Sequence, residues 1–216
     1  KGNIVIVVDN EDRENEGDFV IAAEDMTTEK MAFFVRYSGG VICIPALSSR
    51  LDELNLPMMV NNNEDTFRTA YTVSVDYKHG TTTGISAHDR ALTCRSIAQP
   101  SKTTMSNDFR RPGHCFPLRY TEGGVLKRIG HTEASVDLCI LAGKNPCAAI
   151  SEVVSVKNEN FEFLKSQNGS VYLENNSNDE IGSMARRNEL YSLSRMWGIK
   201  MISISDLRQY RVENNC

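Results

Sequence analysis

The sequence has no long hydrophobic run and no concentration of basic charge. No apolar stretch among the 216 residues approaches the ~20 that a membrane-spanning helix requires, so we expect no membrane partner. The formal net charge is −4, and no basic stripe carries interleaved aromatic side chains, which argues against nucleic acid as a partner. An anionic small molecule is still compatible with this charge, provided that local arginines, helix N-termini or a metal ion attract it.

Paired cysteine motifs are also missing. The six cysteines show no CxxC spacing, and five of them lie among apolar or small residues. We therefore expect buried, reduced thiols, with Cys43 a packed thiol, and in the absence of a signal peptide pattern we expect a cytoplasmic location. Two glycosylation sequons, at 168–170 and 175–177, are expected to be unused in such a compartment.

The composition is that of an ordinary globular protein, and the local patterns predict one layered domain. Short β-branched runs bounded by turn residues predict strands at 3–9, 19–23, 41–45, 71–77, 115–120, 149–156 and 200–204. Capping residues and apolar positions at helical spacing predict helices at 28–37, 86–98, 132–141, 183–197 and 206–212. This alternation favours an α/β (α+β layered) single catalytic domain over 1–216, with a mixed sheet and helices packed on its faces. The polar stretch 165–179 is expected to be a surface loop within that domain.

An acidic segment lies between the first two predicted strands. Residues 9–18 contain six carboxylates and one arginine between apolar runs at 4–8 and 19–21. Such a loop repels itself unless a cation neutralises it, so a hard divalent metal is the first hypothesis, with substrate oxygens completing its shell. A solvated acidic turn is the simpler alternative. An EF-hand is rejected, because the twelfth loop position is Ala23 and strands, not helices, flank the loop.

Histidine is scarce, and two of the four occur in specific settings. His114 follows a predicted Pro-Gly turn, and His131 lies at a predicted helix start, where free N–H groups with Arg128 and Thr132 favour a phosphate. His131 is also a candidate metal ligand together with a carboxylate of the acidic loop. Glu152, inside an apolar predicted strand, either faces solvent or is desolvated with a raised pKa and fit for proton transfer. For His79 and His88 we expect surface or packing roles.

Five motifs in this order resemble one enzyme family. They are Asp-x-Glu-Asp-Arg-Glu-Asn-Glu-Gly-Asp at 9–18, Thr-Thr-Gly-Ile-Ser-Ala-x-Asp-Arg at 82–90, Arg-Pro-Gly-His at 111–114, Gly-Gly-Val-Leu at 123–126 and Gly-His-Thr-Glu-Ala at 130–134. Together they are similar to the 3,4-dihydroxy-2-butanone 4-phosphate synthases of riboflavin biosynthesis. The resemblance implies a lyase that converts D-ribulose 5-phosphate to that ketose phosphate and formate. It also implies Mg²⁺ or Mn²⁺, one or two ions, and a homodimer with active sites near the interface.

The resemblance also implies roles for individual residues. Glu14 and His131 would be the metal ligands. The residues implied to contact the substrate are Arg13, Glu14, Asp18, Thr82, Thr83, Arg128, Ile129, Gly130, His131, Thr132 and Glu152. His114 and Glu152 match positions essential for catalysis in the family. Two departures are Ile129, where the family often has Gly, and the 165–179 stretch, which is longer than typical.

These assignments lead to a hypothesis for the chemistry. Glu16 or Asp18 is expected to remove the C3 proton of the substrate, whose carbonyl the metal polarises. Loss of the C1 hydroxyl, a skeletal rearrangement that joins C3 to C5 and, after hydration, release of C4 as formate would follow, with His114 and Glu152 moving protons. Two alternatives stay open: another metal-dependent sugar-phosphate isomerase or aldolase, and a non-catalytic phosphosugar-binding module.

Overall fold

The computed structural model describes residues 2–99, 103–156 and 183–216. Seven strands form one sheet: β1 (Val5–Val8), β2 (Gly17–Ala22), β3 (Ile42–Ala46), β4 (Val75–Tyr77), β5 (Phe109–Arg119), β6 (Ala148–Glu152) and β7 (Lys200–Ser203). Their order across the sheet is β4-β5-β3-β6-β2-β1-β7. The β3–β5 and β1–β7 pairs are parallel and the other pairs are antiparallel, so the sheet is mixed as predicted.

Six α-helices accompany the sheet in the described part of the chain. They are α1 (Thr28–Tyr37), α2 (Ser48–Glu53), α3 (Ala87–Ala98), α4 (His131–Leu141), α5 (Arg187–Trp197) and α6 (Ile204–Asn214). Hydroxyl side chains at Thr27, Ser86 and Ser203 cap the first turns of α1, α3 and α6 by accepting a backbone N–H three residues further on. The predicted starts of α1, α3 and α6 are thus correct to within two residues, because the capping residues mark them, whereas α5 has no side-chain cap and begins at Arg187, later than predicted.

The helices cover both faces of the sheet. Along β1, Ile6 and Val8 belong to one hydrophobic core, whereas Val7 belongs to a second core on the opposite face. The first core also contains buried side chains of α1, α2, α3 and α5, and the second contains those of α4 and α6. The predicted architecture, a mixed sheet with helices packed on its faces, is therefore confirmed.

Strand register brings several polar side chains to the α4 face. Asp18 of β2 is paired with Glu152 of β6, and Ile150, two residues earlier on β6, is paired with Cys43 of β3. Alternation along β2 places Asp18 on the same face as Val20, which packs in the core beneath α4. The ends of β2 and β6 thus present two carboxylates beside the first turn of α4.

The largest error of the sequence prediction concerns β4 and β5. The strand predicted at 71–77 is regular only at β4, and the strand predicted at 115–120 begins six residues earlier, at Phe109. The predicted turn at Pro112-Gly113 therefore lies inside a strand. Proline is tolerated there because β3 pairs with β5 only from Cys115 onward, and the β4–β5 register shifts between Val75 and Asp76.

Other predictions differ in detail. The six-residue helix α2 is too short for its periodicity to be recognised in the sequence. The stretch 165–179 and both sequons lie outside the described residues. Five cysteines are buried free thiols as predicted, and the sixth, Cys216, is exposed. Among the described residues, no helix combines the length and apolarity needed to cross a membrane.

Candidate active site

The acidic loop between β1 and β2 is organised around one buried carboxylate. Asp9, which is 1% exposed, accepts hydrogen bonds from the backbone N–H groups of Glu14 (3.0 Å) and Glu16 (3.0 Å). It also accepts one from Nη1 of Arg13 at 2.9 Å. Both carboxylate oxygens of Asp9 are therefore occupied within the loop, and the side chain of Glu14 is directed by the backbone that Asp9 holds.

Glu14 meets the first residue of α4. Oε2 of Glu14 lies 3.3 Å from Nδ1 of His131, and one ligand atom each of Asp9, Glu14 and His131 falls within 4.8 Å of the others. On the other side of the ring, Nε2 of the buried His131 lies 3.9 Å from Oδ1 of Asp18, and in the described part of the chain neither of these two atoms has a hydrogen-bond partner. The structure thus brings together the acidic loop and His131, as the hypothesis of a shared metal requires.

Local chain geometry fixes His131 and leaves its neighbours free to bind an anion. Gly130 is the N-cap of α4, and a Cβ at this position would collide with the guanidinium of Arg128. Nη1 of Arg128 forms an ion pair with the buried Glu133 at 2.6 Å, and Nη2 donates to the backbone oxygen of Phe67 at 3.0 Å. The N–H groups of the first turn of α4 are available to a phosphate, and Arg128 is held next to them.

A cavity of about 230 Å³ lies between the acidic loop and the start of α4. It contains nine of the predicted or singled-out residues, namely Arg13, Glu14, Glu16, Asp18, Cys43, Arg128, His131, Thr132 and Glu152. Glu152 is half-buried at the cavity wall. It is therefore neither fully solvent-exposed nor fully desolvated, which were the two environments considered from the sequence. Six further lining residues were not singled out from the sequence: Asp65, Phe67, Thr69, Tyr71, Leu118 and Ile150.

The pKa values of three cavity carboxylates shift in different directions. Burial raises the pKa of Asp18 to about 8 and also raises the pKa of Glu16. For Glu14 burial acts in the same direction, but the neighbouring His131 and Arg13 outweigh it and lower its pKa. Burial alone would lower the pKa of His131, yet the surrounding carboxylates raise it to about 9. The lowered pKa favours the anionic form of Glu14. The raised pKa lets Asp18 exchange a proton near neutral pH.

A second polar cluster contains the remaining predicted catalytic residue. Nδ1 of His114 lies 2.7 Å from Oδ2 of the buried Asp76, whose other oxygen accepts the backbone N–H of His114 at 2.8 Å. Thr82 and Thr83 lie on an exposed turn beside it, and Arg110 donates to the backbone oxygen of Thr82 at 3.2 Å. None of these residues lines the cavity. β3 separates the strands of His114 and Glu152, a spacing of about 10 Å.

Three other predicted positions fall as follows. Ile129 lies outside the cavity with its side chain 44% exposed. His79 and His88 are exposed, near Asp108 and Thr28 respectively, in agreement with the surface roles expected for them.

Two arginines near the site had no sequence signal. Arg186 and Arg187, at the start of α5, contact the acidic loop. An Arg-Arg pair some 170 residues after the loop has no motif or spacing that links the two segments, and only the folded chain shows the contact.

Comparisons with known proteins agree with this geometry. Residues 1–210 match the family model described as 3,4-dihydroxy-2-butanone 4-phosphate synthase. The enzyme of that name from Schizosaccharomyces pombe is 50% identical over 209 residues, which cover 97% of this chain and 91% of that protein. The bifunctional riboflavin biosynthesis protein RIBA 1, chloroplastic, of Arabidopsis thaliana is 48% identical and covers 98% of this chain. The match occupies 34% of that relative.

The similar solved structures belong to the same enzyme family as the sequence relatives. A crystal structure of 3,4-dihydroxy-2-butanone 4-phosphate synthase in complex with two magnesium ions is similar to this fold with a TM-score of 0.86 and 47% identity. The similarity covers 99% of this chain and 93% of that one. The motifs, the fold and the matched length converge on one conclusion: this chain belongs to the 3,4-dihydroxy-2-butanone 4-phosphate synthase family of riboflavin biosynthesis.

Proposed function

We propose that the cavity converts D-ribulose 5-phosphate to 3,4-dihydroxy-2-butanone 4-phosphate and formate, so that the chain acts as a carbon–carbon lyase. The observation that carries this proposal is the convergence of Glu14, Asp18 and His131 in a cavity next to the first turn of α4. A metal site beside an anion site suits a five-carbon sugar phosphate, and membership of the family implies the substrate and the products.

The donor set fits a divalent cation. Nε2 of His131 and Oδ1 of Asp18 are buried and have no hydrogen-bond partner among the described residues, and at the other ring nitrogen of His131, Nδ1, Glu14 supplies a carboxylate oxygen 3.3 Å away. Asp9 lies within 4.8 Å of the other two ligand atoms and its hydrogen bonds hold the loop, whereas Glu14 and His131 are the proposed protein ligands. When bound, Mg²⁺ or Mn²⁺ would supply Lewis acidity at the substrate carbonyl. The relative solved in complex with two magnesium ions supports Mg²⁺ as the cation and the binding of one or two ions.

Side chains and backbone groups of this chain then bind the phosphate and the sugar and transfer the protons. The first turn of α4, with Arg128 and Thr132, binds the phosphate, and Arg13 contacts the sugar. Asp18 accepts the C3 proton, since its raised pKa of about 8 suits transfer near neutral pH, and Glu16 is the second candidate for that step. Glu152, paired in register with Asp18, is placed for proton transfer in the later rearrangement.

A homodimer accounts for the separate second cluster. His114, Thr82 and Thr83 lie outside the cavity of their own chain. We propose that the partner's His114 completes the site across the interface, with the threonines of the same cluster positioned to contact the substrate. This arrangement reconciles the expected catalytic role of His114 with its distance from Glu152.

The test is formate release from D-ribulose 5-phosphate in the presence of Mg²⁺. Glu14→Gln and His131→Ala should abolish formate formation while the protein still unfolds cooperatively near the wild-type temperature, and a chelator should stop turnover reversibly. Glu11→Gln, an exposed carboxylate of the same loop, is the matched control and should retain activity. Full activity of either site variant would contradict the metal assignment. Turnover of the sugar without formate would indicate an isomerase or aldolase, and binding without turnover a non-catalytic module.

The proposal includes the context of the enzyme. One sheet runs through the described residues, which supports a single catalytic domain over 1–216. A cytoplasmic location rests on the reduced cysteines and is tested by fractionation, since the plant relatives carry chloroplastic names.

A further inference from the structure

The N-terminal end of α5 contacts the acidic loop through Arg186 and Arg187. Nη1 of Arg186 donates to the backbone oxygens of Glu14 at 2.7 Å and Asn15 at 3.0 Å, and lies 3.3 Å from Oε1 of Glu16. Nη2 of Arg187 donates to the backbone oxygen of Asp9 at 3.0 Å. All four acceptors belong to the loop that carries the proposed metal ligand Glu14.

Packing fixes α5 in this position. Leu190 is fully buried, and a Cβ at Gly17 would lie 2.7 Å from Cδ1 of Leu190, so the helix rests directly on the start of β2. The backbone N–H of Ala185 donates to the oxygen of Val153 at 3.0 Å, which ties the approach to the helix to the end of β6. Arg186 is therefore presented by a rigid element and not by a loose surface segment.

The loop conformation needs such a contact. Asn15 has a left-handed backbone with φ +54°, and the flanking peptide groups have to be held in place. Asp9 accepts the N–H groups of Glu14 and Glu16, whereas Arg186 donates to the carbonyls of Glu14 and Asn15. Both the N–H groups and the carbonyl groups of the peptide units around Glu14 are therefore held by hydrogen bonds.

From these contacts we propose that Arg186 is a positioning residue that preorganises Glu14 and Glu16 for metal binding and catalysis. The inference rests on the proposed function, because it assumes that Glu14 is a metal ligand. The ion pair with Glu16 contributes little, since the side chain of Arg186 is 52% exposed. The two hydrogen bonds to backbone carbonyls, which are strengthened by the charge of the guanidinium, carry the effect.

Positioning and simple charge effects predict opposite results, which makes the proposal testable. Removing a positive charge close to a cation site would strengthen Mg²⁺ binding if Coulomb repulsion were the main effect. Loss of positioning would weaken Mg²⁺ binding, by about 10-fold, as is usual when an outer contact of a metal ligand is removed.

The experiment measures the Kd of Mg²⁺ by titration calorimetry, together with kcat and KM for D-ribulose 5-phosphate, for Arg186→Met in the full chain. We expect a Kd about 10-fold higher and a kcat about 10-fold lower, with KM nearly unchanged because the phosphate site is untouched. Arg195→Met, an exposed arginine on the same helix away from the loop, is the matched control and should leave all three values unchanged. A wild-type or lower Kd in Arg186→Met would overturn the proposal.

Two further variants separate the possible causes of failure. Arg186→Lys keeps the charge on a shorter side chain with one nitrogen, and since the contacts of Arg186 to the loop all come from Nη1, its Kd should lie between those of wild type and Arg186→Met. A Kd for Arg186→Lys below that of wild type would contradict the proposal, and this variant carries the test if Arg186→Met does not fold. Glu14→Gln in the same titration reports on the proposed function itself. If Glu14→Gln leaves the Kd of Mg²⁺ unchanged, the metal site is wrong; if only the Arg186 variants leave it unchanged, the positioning role alone is wrong.

Discussion

At the scale of single residues, the position of Glu14 depends on a second carboxylate of the same loop. Asp9 receives three hydrogen bonds from its own loop, and these decide where Glu14 points. The residue types at 9–18 and at 131 were sufficient to predict that a carboxylate of the acidic loop and His131 share a site, and the family resemblance singled out Glu14. The role of Asp9 was not predictable, because it depends on the path of the backbone between Asp9 and Glu16.

Replacing Asp9 by asparagine tests this role. The amide has one acceptor oxygen in place of two, so at least one of the buried donors of Glu14, Glu16 and Arg13 loses its partner. We expect the free energy of unfolding to fall by about 2 kcal/mol. Urea denaturation measures the change, and Asp12→Asn, an exposed aspartate of the same loop, should leave stability within about 0.5 kcal/mol of wild type. Equal stability of the Asp9 and Asp12 variants would contradict the assignment.

At the scale of elements, the turn that precedes α3 is held by one carboxylate. Asp89 is 1% exposed and accepts the backbone N–H groups of Thr82 (3.0 Å) and Gly84 (2.9 Å) and the hydroxyl of Thr82 (2.8 Å). Burial alone would raise the pKa of Asp89, but these hydrogen bonds outweigh it and lower the pKa. The turn carries Thr82 and Thr83, so Asp89 sets the position of both threonines.

The lowered pKa of Asp89 predicts a pH-dependent stability. Its contribution is fully present above the unfolded-state pKa of about 3.9 and is lost as the pH falls through the lower folded-state pKa. Asp89→Asn should therefore cost about 2 kcal/mol at pH 7, and the difference from wild type should shrink on acidification below about pH 4. Unfolding in urea at several pH values measures it. Asp206→Asn changes an exposed aspartate at the equivalent position of α6 and serves as control; a difference for Asp89→Asn that stays constant with pH would refute the prediction.

Elements were predictable from sequence where local signals agree. Threonine and serine caps marked α1 and α3, and β-branched runs marked β1, β2 and β7, because these signals act within a few residues. The first half of β5 was missed because Pro112 and Gly113 usually mark a turn, and only the pairing with β4 makes that segment a strand. The irregular wall of the cavity, with Asp65, Phe67 and Thr69, has no periodicity at all.

At the scale of the whole molecule, the proposed dimer makes a prediction about shared sites. Glu14→Gln and His114→Ala should each be inactive alone, but subunit exchange between them should restore about a quarter of wild-type formate release. Half of the dimers in an equal mixture are mixed, and each mixed dimer has one intact site of two. The control pair, Glu14→Gln with His131→Ala, shares one metal site and should show no recovery. If the first pair also fails to recover, His114 does not act across the interface.

The parallel pairing of β1 with β7 has a consequence for how the protein is made. Residue 5 aligns with residue 200, so the β1–β2 hairpin obtains its outer neighbour only after β7 has been synthesised. At typical translation speeds of roughly 5–20 residues per second, the interval is on the order of tens of seconds. Throughout that time the nascent Val-Ile-Val-Val segment exposes unpaired backbone groups on the ribosome, where it is open to misassociation with other chains. Recombinant yield should therefore depend on chaperone supply and on low expression temperature.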